Sequence, residues 1–344
     1  MSTPDKKNVG PAPAWAYGAK ILSALYSDKP NLERMRHEFG ATAVLLYHCP
    51  ETTNAWCPSG TWKEVEDFIT EAHHSGLKIL CYYDTTNTEE SFHPGHEDWT
   101  QRNADGVAQS YHPAHVKPLR YCHCFNSPWS ERVQDIASHY MRAGADGVFL
   151  DNPCYYEFVG KSCFCPRCQE KFRKESGKDL RLADDRERVG FLKRSIQEHV
   201  LRVFDAQRRA VEGRLQPALA CNSSGHLPTN CLATLGHCEN VLFREMFPGQ
   251  EGQALSLKRE RAEFPDKPLW VILTESGVSK WASDIDLAAK EFDAILAEIS
   301  SIGAAPMAWS TIPSQDPLMP GFTEHSIFNR PQLADVIKKH FLAH

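Results

Sequence analysis

"HYMRAGADGVFLDNP", residues 139–153, compresses the rhythm of the whole chain into one stretch. A run with helical spacing, Ser130–Arg142, closes at Gly144, the residue type that ends helices in a left-handed turn. A short apolar run, Asp146–Asp151, follows at once and stops at Asn152-Pro153, because proline cannot continue a central strand. The stretch therefore reads as helix, tight turn and buried strand, with an acid delivered at the far end of the strand.

Moving outward, the same unit recurs. Apolar runs at Ala43–His48, Leu77–Asp84, Pro217–Asn222, Asn240–Met246, Pro268–Glu275 and Ala305–Ser310 predict strands. Between them, helical spacing marks Leu32–Phe39, Trp62–His74, Asp184–Glu212, Gln253–Glu263, Leu287–Ile302 and Pro331–Leu342. A first strand falls at Ala14–Gly18 or at Lys20–Leu25. Strands and helices in alternation give a parallel sheet with helices outside. About eight such units favour a closed (β/α)8 barrel over a doubly wound sheet. No G-x-G-x-x-G follows the early strands, which removes the usual sign of a dinucleotide-binding half. We expect one barrel domain over residues 1–344, with 152–183 a cysteine-rich insertion after strand four.

The 344 residues are 42% hydrophobic and 24% charged, as in a globular protein with a sizeable core. Net charge is −6, with no basic block, so nucleic acid and anionic membrane surfaces are poor partners. The first residues lack the apolar run of a secretory signal and no segment approaches membrane-spanning length. Twelve cysteines without an export signal suggest a reducing, cytoplasmic setting. A homo-oligomer is compatible with this reading.

Barrels of this type place reactive groups at the C-terminal ends of strands. That rule selects His48, Asp84, Asp151, Asn222, Glu245, Glu275 and Trp309. Acids, an amide, a histidine and a tryptophan around one mouth suit a carbohydrate, with carboxylates as acid, base or nucleophile and an aromatic against the sugar's apolar face. Asp151 is expected to be catalytic, its bland alternative being a cap or an ion-pair partner. Glu245 is the expected general acid, since apolar neighbours favour a retained proton; alternatively it pairs with Arg244. Glu275 is the other candidate for that role. Asp84 and His48 are expected to bind hydroxyls or to satisfy nearby backbone. Trp309 is a stacking platform or simple packing, and His73–His74 a solvated helix face.

Cys163, Cys165 and Cys168 offer three soft ligands in one turn, and a structural zinc site requires one more. Buried thiols or a redox pair at Cys165 and Cys168 are the alternatives.

"CFCPRCQEKFR" (Cys163–Arg173) and "YCHCFNSPWSERV" (Tyr121–Val133) resemble the family 42 β-galactosidase barrels. The resemblance spans roughly Ala43 to Arg173 and implies a structural zinc held by Cys124, Cys163, Cys165 and Cys168, with Cys122 and Cys154 as alternative fourth ligands. It fails at strand four, where the family has Asn-Glu and this chain has Asn152-Pro153; proline cannot transfer a proton. "GADGVFLDNP" resembles instead barrel glycosidases with an aspartate nucleophile on strand four. The chain is also similar to hypothetical glycosyl hydrolases that combine such a strand with a cysteine knuckle. The expected function is hydrolysis of an O-glycosidic bond in a small glycoside or oligosaccharide, with retention: Asp151 attacks and Glu245 protonates the leaving oxygen. A carbohydrate-binding barrel that has lost catalysis, and a lyase or aldolase, are the rival readings.

Overall fold

The computed structural model describes residues 9–50, 59–111, 119–155, 163–222, 235–246, 253–273, 285–312 and 325–342. Eight strands carry the fold: β1 (Ile21–Leu25), β2 (Ala43–Tyr47), β3 (Lys78–Asp84), β4 (Gly147–Asp151), β5 (Ala218–Cys221), β6 (Leu242–Met246), β7 (Leu269–Leu273) and β8 (Ala305–Trp309). They pair in parallel in the order β6-β7-β8-β1-β2-β3-β4-β5. A single parallel bridge, Asn222 to Phe243, joins β5 to β6 and nearly closes the ring. The result is a (β/α)8 barrel, as the alternation predicts. Of the two placements for the first strand, the later one is correct, and Ala14–Ala16 forms a 3-10 turn.

The helices are α1 (Leu32–His37), α2 (Trp62–His74), α3 (Trp129–Arg142), α4 (Pro166–Ser176), α5 (Asp185–Ala210), α6 (Gln253–Glu263), α7 (Ile285–Ser301) and α8 (Pro331–Leu342). Local chemistry sets their ends. Thr61 and Glu64 form a reciprocal capping box before α2, and Asp184 and Glu187 do so before α5. Gly177 ends α4 in the left-handed conformation. Among the described residues the sequence pattern omits three pairs of short strands: Cys49–Pro50 with Ser59–Gly60, Asn87–Glu89 with Arg120–Cys122 in the segment between β3 and α3, and Thr311–Ile312 with His325–Ser326.

Alternation along the strands sorts side chains into two layers. Val44, Leu46, Val148 and Leu150 are fully buried between sheet and helices. The barrel interior holds an aromatic layer in which Tyr47 meets Tyr82 at 4.2 Å and Trp309 at 4.5 Å, and Phe149 meets Phe243 at 3.9 Å. Gly147 permits the close approach of β4 to β5, since a Cβ there would lie 2.3 Å from the Ala218 carbonyl oxygen.

Side chains reinforce the seam between β5 and β6. The Leu219 N–H donates to Asn240 Oδ1 at 2.7 Å, and the Asn240 amide donates to the Pro217 carbonyl at 3.1 Å. Behind the seam, Arg244 points into the helix layer and bonds Glu239 at 3.1 Å and Glu260 of α6. Both Glu239 and Arg244 are buried, so each charge relies on the other. Arg244→Ala should lower unfolding free energy by about 3–5 kcal/mol in urea titrations, because it strands buried acids. A midpoint close to wild type would show that this network does not hold the seam.

Candidate active site

The register of β3 and β4 sets Asp84 beside Asp151 at the C-terminal ends of neighbouring strands. Both share the barrel-facing row with Tyr82 and Phe149. Asp151 Oδ2 accepts from the Tyr82 hydroxyl at 2.6 Å and from the Asn152 amide at 3.0 Å. Its Oδ1 accepts from the Asn222 amide at 2.9 Å. Asp84 Oδ1 accepts from the N–H groups of Thr86 at 2.9 Å and Asn87 at 3.1 Å, while Oδ2 accepts from the Asn87 amide at 2.7 Å. Asp84 Oδ2 also receives the Asn152 amide at 3.4 Å, so Asp84 has four donors, whereas Asp151 Oδ1 has one among the described residues and retains acceptor capacity. Beside it, Asn222 Oδ1 is buried and without a hydrogen-bond partner.

Only 6% and 8% of these two residues is exposed, so their charges meet in a dry place. Burial first, and the Asp151 charge second, push Asp84 up to about 7. Burial also raises Asp151, against the opposing hydrogen bonds from Tyr82 and Asn222. Two like-charged acids at this separation titrate as a pair.

Glu245 belongs to the same mouth. It follows Phe243 on the barrel-facing row of β6, while Arg244 between them turns outward to Glu239 and Glu260. The alternative of a Glu245–Arg244 ion pair is thereby replaced by an Arg244 network facing away. Tyr111, from the segment after β3, lies within electrostatic reach of all three acids. Burial, then the charges of Asp84 and Asp151, and more weakly that of Glu245, hold its phenol well above the ordinary range. Tyr111 packs on Cys122 and Cys154.

His48 does not join this group. It is one position past the barrel-facing Tyr47, and its ring stacks on Tyr26 at 5.0 Å and meets Glu64 of α2 at 3.3 Å. Trp309 is 9% exposed and packs on Tyr47 inside the barrel, with Nε1 unpartnered. His73 is more than a solvated face, since it bonds Asp146 at 2.9 Å at the opposite end of β4. Glu275 lies outside the described residues. The sequence reading passed over Tyr82, Tyr111 and Asn152. Tyr82 was detectable as the residue two before Asp84 on the same strand face; Tyr111 carried no local signal.

Next to this mouth, Cys124, Cys163, Cys165 and Cys168 form a buried cluster whose sulfurs all lie within 4.8 Å of one another. Cys165 caps α4, with Pro166 in its first turn. The sulfurs accept N–H bonds: Asn126 N to Cys124 at 3.4 Å, the Asn126 amide to Cys168 at 3.2 Å, and Cys168 N to Cys165 at 3.5 Å. Such donors suit thiolates more than thiols. Contacts from Cys124, Cys163 and Cys168 hold the Cys165 thiol far below its usual range, whereas Cys124, by burial first, and Cys168 are pushed up. Cys122 and Cys154 pack together in a separate pair, which leaves Cys124 as the fourth member.

Residues 41–152, less than half of the chain, match the family described as Hypothetical glycosyl hydrolase 6, and the match includes both Asp84 and Asp151. No curated protein matches. Among solved structures, a β-galactosidase from Bacillus circulans sp. alkalophilus aligns over 95% of this chain and 56% of its own, at 11% identity and TM-score 0.66. An α-L-fucosidase isoenzyme 2 from Paenibacillus thiaminolyticus aligns over 95% and 49%, at 15% identity and TM-score 0.60. Aspergillus fumigatus Ega3, solved with galactosamine, aligns over 93% and 99%, at 13% identity and TM-score 0.50. The chain thus spans about half the length of the first two. At these identities the likeness is one of fold.

The acid pair makes stability depend on pH. With a folded value near 7 against an ordinary 3.8, Asp84 holds its proton longer folded than unfolded. Its contribution is therefore greatest in acid and is lost as pH rises from about 4 to 7, by at most roughly 1.4 kcal/mol per pH unit. Asp84→Asn should abolish this slope, and its melting temperature relative to wild type should climb between pH 5 and pH 8. A constant difference across that range would mean that neither burial nor the Asp151 charge raises Asp84 in the folded protein.

Proposed function

We propose that the chain is a glycoside hydrolase in which Asp151 is the nucleophile and Glu245 the acid and base. The observation that carries this reading is the placement of Asp151. It sits on the barrel-facing row at a strand end, ionisable, with Oδ1 held by a single amide donor beside an unpartnered amide oxygen. In the reaction, Asp151 Oδ1 attacks the anomeric carbon and the glycosidic C–O bond breaks. Glu245 gives its proton to the leaving oxygen, then takes one from the water that releases the sugar, so the configuration is retained. Asn222 Oδ1 accepts from a sugar hydroxyl. Tyr82 and Asn152 hold the nucleophile, and Tyr111 stays a neutral phenol within electrostatic reach of the acids. The match to a glycosyl hydrolase family and the glycosidase folds of the neighbours support this reading. The substrate class is a small glycoside or oligosaccharide. Glu275 is the second candidate for acid and base.

We further propose that the four-thiol cluster holds a structural zinc. Four buried sulfurs in mutual contact, with N–H donors on several of them, have the chemistry of a closed tetrahedral site. Zinc there would tie the segment after β3 to the segment after β4 and would take no part in the bond-breaking steps.

On a panel of aryl glycosides, Asp151→Asn should lower kcat by several orders of magnitude for every substrate cleaved. Glu245→Gln should mainly slow substrates with poor leaving groups. A normal Glu245→Gln beside an inactive Glu275→Gln would transfer the acid role to Glu275. Metal analysis should find close to one zinc per chain, with Cys165→Ser lowering both zinc content and melting temperature. A protein purified without chelator that contains no zinc would overturn the cluster assignment.

A further inference from the structure

Asn152 is the one described residue other than glycine with a positive φ, at 49°. That conformation disfavours side chains in general and suits asparagine best after glycine. The proline that follows restricts the residue further. Strain of this kind persists only where neighbours enforce it. Here the Asn152 carbonyl accepts from the Thr86 hydroxyl and from Cys154 N at 2.7 Å. The Asp151 carbonyl accepts from Thr85 N at 2.9 Å and the Thr85 hydroxyl at 2.8 Å. The turn after β4 is thus fastened to the turn after β3.

Its effect is to send the Asn152 side chain back over the strand ends. There its amide nitrogen lies 3.0 Å from Asp151 Oδ2 and 3.4 Å from Asp84 Oδ2. One nitrogen with two hydrogens serves two carboxylates on neighbouring strands.

We propose that Asn152 is a positioning residue, its left-handed turn aiming one amide between Asp84 and Asp151 so that Asp151 Oδ2 is engaged while Oδ1 keeps acceptor capacity. The catalytic consequence rests on the reading of Asp151 as nucleophile; the bridge itself does not. Glycine would suit the backbone but supply no donor. Aspartate would tolerate the backbone but add a third charge. Asparagine alone among the residues at ease with this φ gives two N–H groups and no charge. Donation to both carboxylates favours their ionised forms, opposing burial and mutual repulsion. The other ionisable groups around the pair are Tyr82, Tyr111, Glu245, Cys122 and Cys154. All remain in place when Asn152 is changed.

The test uses the full chain with its aspartates 13C-labelled at the side-chain carboxyl, titrated by NMR. Asn152→Gly should keep or raise the melting temperature, since it relieves the backbone, yet move the titration of the Asp84–Asp151 pair upward by about one pH unit. Asn152→Asp should move it further. If glycosides are cleaved, the acid limb of kcat/KM for Asn152→Gly should move with the titration, giving about a tenfold loss at pH 6 and little at pH 9. A purely structural role predicts instead a lower melting temperature and a loss independent of pH. An unmoved titration in a folded Asn152→Gly protein would overturn the proposal. A moved titration in a protein that cleaves no glycoside would uphold the bridge and remove the glycosidase reading.

Discussion

Placing two negative charges side by side out of water is the constraint to which the mouth of this barrel answers. The register that aligns Asp84 with Asp151 makes their repulsion unavoidable, and the surrounding residues are organised to offset it. Donors arrive from β3, from the turn after it, from the turn after β4 and from the end of β5. Each would waste a polar group if the acids were absent. The arrangement also divides the labour. Asp84 has its lone pairs engaged and shapes the electrostatics, while Asp151 is left with an oxygen that can meet a ligand.

The framework was legible because each barrel strand is a short apolar run bounded by a glycine, a proline or an acid. The ends of those strands then gave Asp84, Asp151, Asn222 and Glu245 without further information. The rule of strand ends does not by itself separate inward from outward residues: in "AVLLYH" the residue facing the barrel is Tyr47, and His48 turns outward. Asn87–Glu89 and Arg120–Cys122 carry no periodic signal because each strand is only three residues long. Tyr111 reaches the acids only through the path of a long segment, which no local pattern encodes. Asn152-Pro153 announced a turn, but its handedness follows from hydrogen bonds to Thr85 and Thr86, far away in sequence.

The cysteines separate spacing from context in a similar way. Spacing alone gave Cys163, Cys165 and Cys168. The fourth came from resemblance to family 42 β-galactosidases, and the structure places Cys124 with the other three and Cys122 elsewhere. At strand four the same resemblance stops, and Pro153 stands where that family has glutamate. The proline here follows an asparagine in the left-handed conformation whose amide serves the acids.

The stitching of Thr85 and Thr86 to the carbonyls of Asp151 and Asn152 bears on how such a protein can diverge. A substitution or insertion in the segment leaving β3 is transmitted to both acids, because that segment also carries Tyr111 and Cys124. Selection for a new ligand would therefore spare the turns after β3 and β4 and act on side chains that do not hold the acids.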